Sequence, residues 1–193
     1  MSQTMVLAID FVNDIVSIDS PHAKNGSAPE VARRGIIAST KKLLQQARSK
    51  GALVAHVRIG FSPDYRECPS TSQIFSAIKS RGALKLGTWG TEVHADLGAK
   101  PDDLDIVKHR VSAFYGTPLE LLLRQNRITQ VMLAGVSTTA AINSTARDAH
   151  DRDYECTIVE DCCSARTQEE HSKAIDLVSR FATVVTLDQL KFN

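Results

Sequence analysis

Six short apolar runs, separated by longer amphipathic segments, constrain the fold of this chain more than any other feature. Each run is almost continuous in Val, Ile, Leu and Ala, which is typical of strands buried on both faces of a parallel sheet. The runs are Met5–Asp10, Leu53–Ile59, Leu104–Lys108, Val131–Gly135, Cys156–Glu160 and Ala182–Leu187. Their alternation with helical segments predicts a doubly wound α/β fold, a three-layer α/β/α sandwich.

The segments between the runs carry helical periodicity and helix-end signals. Pro29–Lys50 has apolar residues at helical spacing, and the glycine that follows it is a helix stop. Thr117, Pro118 and Glu120 supply an N-cap, a proline at the first helical position and an acidic third residue. The other predicted helices are Leu119–Asn126, Thr139–Asp151 and Gln168–Arg180, the last capped by Thr167.

Two stretches, Phe11–Ala28 and Gly60–Ala99, lack this regularity, and the second contains only a short predicted helix near Thr71–Lys79. Long loops in a compact domain are usually functional or interfacial. In a parallel sheet, the loops after the carboxyl ends of the strands line the ligand crevice. Both stretches follow predicted strands, so they are candidates for these roles.

Length and composition limit the number of domains and the kinds of partner. The 193 residues suit a single α/β domain over 1–193, and a net charge of +1 provides no field for nucleic acid or anionic membranes. No segment approaches the ~20 apolar residues of a membrane span. The N-terminal residues contain no basic leader or cleavage site, which predicts a cytoplasmic location. The expected partner is a small-molecule substrate.

Two charged residues end predicted strands. Asp10 follows four apolar residues, and burial there would raise its pKa and suit it to proton transfer; a turn or helix-cap aspartate is the alternative. Lys108 could neutralise Asp10, bind a substrate carboxylate or simply be solvated. With His109 and Arg110 it forms a basic cluster that hints at an anionic ligand.

The segment Gly135–Ala141, with the sequence GVSTTAA, is a predicted strand-to-helix turn. Backbone N–H groups at the start of a helix are unpaired and can hold an anion or an oxyanion. The alternative is an ordinary loop in which Thr138 or Thr139 caps the helix.

Three segments, in their order and spacing, resemble the isochorismatase-like superfamily of cysteine hydrolases. Val6–Asp14 is similar to the family's strand that ends in Asp, and Val107–Glu120 to its Lys-containing segment with Ser-x-Phe and Thr-x-Leu-Glu. Ala134–Ala149 is similar to the segment with Gly-x-x-Thr-x-x-Cys and Thr-Ala-x-Asp-Ala. Two shorter loops, Leu86–Gly90 and Val159–Ser164, also resemble family loops.

This resemblance implies a six-stranded parallel sheet with the order 3-2-1-4-5-6. It implies a site in which Asp10 is the acid or base, Lys108 is its electrostatic partner and position 141 holds the nucleophile. It also implies a non-proline cis peptide bond at Val136–Ser137. A homo-oligomer, either a dimer or a tetramer, is implied as well, with Gly60–Ala99 as the candidate interface.

The sequence departs from the family pattern at the nucleophile. Position 141 is Ala, and a methyl group cannot attack a carbonyl, so the acyl-thioester route is closed. The four cysteines, which lack CxxC spacing, are expected to be reduced, and Cys162 and Cys163 to be structural. The metal pattern of the nicotinamidase branch is missing around His56, a predicted core histidine. We therefore expect no catalytic metal and no cofactor.

True isochorismatases in this superfamily resemble the chain in lacking the Cys, and they carry Gly there. They are thought to protonate a vinyl ether with the Asp and to let water attack the resulting cation. The resemblance thus implies a hydrolase that acts without covalent catalysis on a small, anionic substrate.

Six further residues are candidate substrate contacts. Four aromatic residues could wall the pocket, although core packing is the alternative for all four and is favoured for Phe114. The six residues are Phe11, Trp89, Phe114, Tyr115, Ser137 and Thr138. Two other functions remain open: a Cys-dependent amidase whose nucleophile has been replaced by Ala, and a non-catalytic ligand-binding homologue.

Overall fold

The computed structural model of this protein describes residues 4–192 and is built around a sheet of six parallel strands. The strands are β1 (Thr4–Ile9), β2 (Leu53–Ile59), β3 (Leu104–Lys108), β4 (Gln130–Val136), β5 (Glu155–Ser164) and β6 (Thr183–Val185). They lie in the order β3-β2-β1-β4-β5-β6. The predicted fold class and strand order are therefore confirmed.

Seven α-helices connect the strands within residues 4–192. They are α1 (Asn13–Val16), α2 (Ala28–Arg34), α3 (Ile36–Ser49), α4 (Ile78–Arg81), α5 (Leu119–Gln125), α6 (Asn143–His150) and α7 (Gln168–Val178). A π-helical turn over Thr138–Ile142 precedes α6, and short 3₁₀ turns cover Trp89–Thr91, Ala95–Leu97 and Leu187–Gln189. None of the helices in the described part of the chain is long and apolar enough to cross a membrane.

Helices cover both faces of the sheet, which explains why the strands are apolar along their whole length. Successive residues of β1 point to opposite faces. Leu7 and Ile9 pack in one core cluster with Leu123 of α5, whereas Val6 packs in a second cluster with Leu44 of α3. Both faces of β1 are fully buried, as in a three-layer sandwich.

Three predicted helices differ from those observed. The helix predicted over Pro29–Lys50 is divided into α2 and α3 by Gly35, whose φ of 65° lies in the left-handed region. The helix predicted near Thr71–Lys79 was wrongly placed, because that region forms turns that seat Phe75 against Phe61, and α4 follows them. The helix predicted from Thr139 begins instead as the π-helical turn.

Gly135 allows β4 to approach the end of β1. A Cβ atom at this position would lie 2.2 Å from the carbonyl oxygen of Ile9. Any side chain would therefore push the two strands apart at their carboxyl ends. This close approach brings the turn after β4 beside Asp10, the residue that follows β1.

Candidate active site

Asp10 and Lys108 form a buried ion pair at the carboxyl edge of the sheet. The Lys108 Nζ lies 2.8 Å from Asp10 Oδ2, and the backbone N–H of Ile59 donates to Asp10 Oδ1 at 2.8 Å. Asp10 is 4% exposed and Lys108 is 1% exposed. The two charges therefore interact away from bulk water, where their attraction is weakly screened.

The strand order explains how residues 98 positions apart meet. The strand β2 lies between β1 and β3, and Lys108 pairs in register with Ile59, the last residue of β2. The long lysine side chain reaches over the end of β2 to the carboxylate. Asp10 itself turns out of β1 with a φ of 58°, a left-handed conformation that aspartate adopts more readily than most residues.

All three donors of the Lys108 ammonium are used inside the protein. Besides Asp10, the ammonium donates to the carbonyl oxygens of Arg110 and Val111, each at 3.1 Å. A lysine has only three N–H donors. This arrangement supports Lys108 as the partner of Asp10, and it leaves no donor for the substrate carboxylate considered above.

Burial raises the pKa of Asp10, because desolvation disfavours the carboxylate. The charge and hydrogen bond of Lys108, and the hydrogen bond from Ile59, oppose this effect without cancelling it. Each carboxylate oxygen keeps one lone-pair direction beyond its recorded partner. Asp10 can therefore hold a proton at a pH where an exposed aspartate is ionised, and it can still contact a ligand.

A cavity of about 240 Å³ opens beside the ion pair. Asp10, Lys108, Ser137 and Ala141 are among its lining residues. Most of the remaining wall comes from the two stretches that the sequence marked as irregular. These lining residues are Asp14, Ile15, His22, Ser27, Ile74, Phe75, Ile78, Arg81, Ala83 and Leu84.

Ala141 lines this cavity, and none of the four cysteines in the described chain does. Burial raises the pKa of Cys156 and Cys163 to about 12 and raises that of Cys162 as well. Cys68 lies against the carbonyl of Phe75, and burial again raises its pKa. Thiols held in the protonated form are poor nucleophiles.

The turn after β4 contains the expected cis peptide bond, Val136–Ser137. Three of the following amide groups are already occupied. The N–H groups of Ala140 and Ile142 donate to the carbonyl of Ser137, and that of Thr139 donates to Ser137 Oγ. In this arrangement these three groups do not bind an oxyanion.

The structure places five of the predicted substrate contacts away from this cavity. Phe11 packs in the core with Val6, and Phe114 stacks on Tyr154 at 6.1 Å between ring centroids. Trp89 and Tyr115 are exposed by 48% and 68%. Thr138 is fully buried behind the turn. Of the predicted substrate contacts, Ser137 lines the cavity.

The predicted basic cluster is also engaged internally. Arg110 donates to the carbonyl oxygens of Glu67 and His109, and His109 Nδ1 lies 2.6 Å from the carbonyl oxygen of Gly60. Carbonyl contacts of this kind hold the segment after β3 in place. Of the three basic residues, Lys108 lines the cavity, whereas His109 and Arg110 do not.

His56 is buried in β2, as expected for a core histidine, but only one of its ring nitrogens has a partner. Its Nε2 lies 3.0 Å from Asp103 Oδ2, whereas Nδ1 makes no hydrogen bond with the described residues. The prediction of a fully hydrogen-bonded histidine is therefore wrong at Nδ1. Within residues 4–192 no cluster of His, Cys, Asp and Glu is arranged to hold a metal ion.

Sequence reasoning missed the charged residues of the outer cavity wall: Asp14, His22 and Arg81. Asp14 accepts hydrogen bonds from Ser20 Oγ and the backbone N–H of Leu84, and so joins the two irregular stretches. The Arg81 guanidinium forms no hydrogen bond or ion pair with the part of the chain that the structure describes. The available signal was their location after the ends of β1 and β2.

Comparison with known proteins identifies the family. The isochorismatase domain family matches residues 4–189. This chain belongs to the isochorismatase family. The uncharacterized isochorismatase family protein YecD of Escherichia coli O157:H7 is 34% identical over 189 residues, which cover 97% of this chain and 94% of YecD.

Solved structures of family members share the fold. An isochorismatase family protein from Desulfovibrio vulgaris superposes with a TM-score of 0.85 and 28% identity over 97% of this chain and 96% of its own. An N-carbamoylsarcosine amidase from Thermoplasma acidophilum superposes with a TM-score of 0.79 and 28% identity over 99% of both chains. The family thus contains hydrolases that include amidases.

Proposed function

We propose that this isochorismatase family member is a hydrolase that cleaves a small vinyl ether carboxylate by acid catalysis. In this proposal Asp10 protonates the substrate and water is the attacking group. One observation carries the proposal: the buried Asp10–Lys108 pair borders a cavity that is lined by Ala141 and by no cysteine of the described chain. The cavity contains the acid but no sulfur nucleophile.

The chemistry balances without a covalent intermediate. Protonated Asp10 gives its proton to the terminal carbon of the vinyl ether, which leaves an oxocarbenium ion. Water adds to the cationic carbon and returns a proton to Asp10, and the resulting hemiketal collapses to a ketone and an alcohol. For an enolpyruvyl ether the ketone is pyruvate.

The cavity provides two features that favour this route. Its wall is mainly apolar, with Ile15, Ile59 and Val111 near the acid. Exclusion of bulk water raises the pKa of the acid and strengthens local electrostatic interactions. After proton transfer, the Asp10 carboxylate can stabilise the adjacent cation, and Asp14 adds a second negative charge to the wall.

We propose that Arg81 binds the substrate carboxylate. Lys108 has no free donor, and the guanidinium of Arg81 has no hydrogen-bond or ion-pair partner among residues 4–192. We expect Arg81→Gln to raise KM for the carboxylate substrate roughly tenfold, since a charge-assisted hydrogen bond at an exposed site is lost. Steady-state kinetics checks this. Lys79→Gln is the matched control, because Lys79 lies on the same helix but does not line the cavity. Equal KM values for the two variants would contradict the role of Arg81.

The proposed function is tested by incubating the protein with a panel of enolpyruvyl ethers, including isochorismate, and measuring pyruvate. We expect turnover that iodoacetamide does not inhibit. The same panel should include N-carbamoyl and carboxamide substrates and the variant Ala141→Cys. That variant tests the amidase alternative, which is favoured by the similarity to N-carbamoylsarcosine amidase and by the position of Ala141 in the cavity wall.

The outcomes separate the three functions. Pyruvate release by the natural sequence supports the proposal. Amide hydrolysis with thiol labelling, gained only in Ala141→Cys, supports an amidase that has lost its nucleophile. Saturable binding of a ligand without turnover of any substrate indicates a non-catalytic binding protein.

A further inference from the structure

A chain of four polar side chains runs behind the cavity wall formed by the turn after β4. Thr138 Oγ1 lies 2.8 Å from His171 Nδ1, and His171 Nε2 lies 2.7 Å from Glu160 Oε1. Arg34 completes the chain with a 2.8 Å ion pair to the same oxygen of Glu160. These side chains come from the π-helical turn, α7, β5 and α2, so the chain joins four separate elements.

The protonation states of the chain define the direction of its hydrogen bonds. Burial would raise the pKa of Glu160, but the hydrogen bonds from His171 and Arg34 outweigh it and lower the pKa overall. Burial lowers the pKa of His171, against the opposing effect of Glu160. A neutral His171 must donate from Nε2 to the Glu160 carboxylate. Its Nδ1 is then an acceptor, so the Thr138 hydroxyl donates to it.

Within the turn, these side chains contact Thr138, a residue that does not line the cavity. Thr138 is fully buried and His171 is 1% exposed. The neighbouring residues Ser137, Ala140 and Ala141 line the cavity. A hydroxyl that must donate to a fixed imidazole restricts the rotation of the Thr138 side chain. The hydrogen bond from Thr138 therefore restricts the backbone that carries Ser137, Ala140 and Ala141.

We propose that Thr138, His171 and Glu160 are positioning residues that set the placement of Ser137, Ala140 and Ala141 against the substrate. This inference rests on the proposed function, because it concerns the wall of the same cavity. Acid changes the arrangement in a defined way. Protonated His171 carries a hydrogen on both ring nitrogens, so it no longer accepts from Thr138 and instead donates from Nδ1 to the Thr138 hydroxyl oxygen. The reversal turns the Thr138 hydroxyl hydrogen away from His171 and places a positive charge behind the wall, so we expect the amide resonances of the wall to follow this proton uptake.

The charged groups that face His171 are few. Glu160 of β5 accepts from its ring, and Arg34 and Glu30 of α2 act on it through space. The two carboxylates favour the imidazolium and Arg34 disfavours it. Variants at Thr138 leave these charges in place, and so they separate the hydrogen bond from the electrostatics around the imidazole.

The first measurement needs no substrate. Amide resonances of Ser137, Ala140 and Ala141 are followed by NMR across acidic pH in the natural sequence, Thr138→Val, Thr138→Ser and His171→Gln. We expect them to follow the titration of His171 in the natural protein and in Thr138→Ser, which keeps the hydroxyl. The pH-dependent shift of these amide resonances should be lost in Thr138→Val and His171→Gln. Thr40→Val is the matched control, because Thr40 is a buried threonine of α3 that lies outside the cavity wall. This variant should keep the pH-dependent shift.

The second measurement uses the vinyl ether substrate that the protein turns over. We expect Thr138→Val to lower kcat roughly tenfold or more with little change in KM, and Thr138→Ser to restore most of it, because small displacements at a reacting centre slow the reaction. The inference would be overturned if the amide resonances of the wall did not change as His171 titrates. It would also be overturned if they changed as much in Thr138→Val as in the unsubstituted protein. Absence of turnover alongside a Thr138-dependent NMR titration would overturn the proposed function and leave the coupling intact.

Discussion

Replacing Asp10 with Asn should lower turnover by roughly 10²- to 10⁴-fold, the range that a general acid contributes. The amide has the size of the carboxyl group and can still accept from the N–H of Ile59, but it cannot give a proton to a vinyl ether. The measurement is kcat on the enolpyruvyl ether that the natural sequence cleaves, with a thermal melt to verify folding. Full turnover by this variant would eliminate Asp10 as the acid.

Asp14→Asn is the matched control for this experiment. It removes a carboxylate from the same cavity wall and keeps an oxygen that can accept from Leu84. If the Asp10 effect arises from proton donation, the Asp14 variant should lose far less activity. Similar losses in the two variants would indicate that general negative charge in the cavity, and not a proton, is what the reaction needs.

The pH dependence of activity should follow the same carboxyl group. Burial raises the pKa of Asp10, and catalysis requires its protonated form, so activity should fall as the pH rises through that pKa. The linkage to folding has the same sign. The stability contributed by the proton on Asp10 is fully present below 3.8, its ordinary pKa, and is lost as the pH rises through the raised value.

Replacing Lys108 with Met should destabilise the fold by about 3–5 kcal/mol, the cost of leaving one member of a buried ion pair without its partner. Met fills similar space but supplies no positive charge to Asp10 and no donor to the carbonyls of Arg110 and Val111. Without Lys108 the pKa of Asp10 should rise further. The penalty should therefore shrink at lower pH, where Asp10 takes up a proton.

Urea unfolding of four proteins measures this coupling: the natural sequence, Lys108→Met, Asp10→Asn and the double variant. The double variant should be more stable than Lys108→Met, because it removes both charges. Lys173→Met is the surface control, since Lys173 pairs with Glu169 where both side chains are more than 70% exposed, and it should change stability by less than about 1 kcal/mol. A cost that small at Lys108 would show that its charge is not needed to bury Asp10.

The local sequence was enough to predict the strands and the charged residues that end them. Strands buried on both faces are apolar at every position, and that pattern is visible without knowledge of the partner strand. Asp10 and Lys108 were identifiable because each ends such a run, and the strand order that the family resemblance implies put them within reach across β2. The family resemblance added position 141 and the cis peptide bond.

The outer part of the cavity could not be predicted residue by residue. Asp14, His22 and Arg81 lie in segments without periodicity, so no pattern indicates which side chains face inward. Aromatic residue type was a poor guide as well. Phe11 and Phe114 pack in the two core clusters, whereas Trp89 and Tyr115 lie at the surface.

The sequence by itself determined which segments become strands, which charged residues end them and that residue 141 has no sulfur. Only the tertiary structure decided which donors and acceptors pair. Lys108 donates to Asp10 and two carbonyls and Thr138 pairs with His171, whereas Arg81 has no partner within the part of the chain that the structure describes. The physical reason is that burial in strands and helices requires apolar residues at regular positions, and this pattern is visible in the local sequence. Hydrogen bonds and ion pairs instead join residues far apart in sequence, and their geometry exists only once the layers have packed.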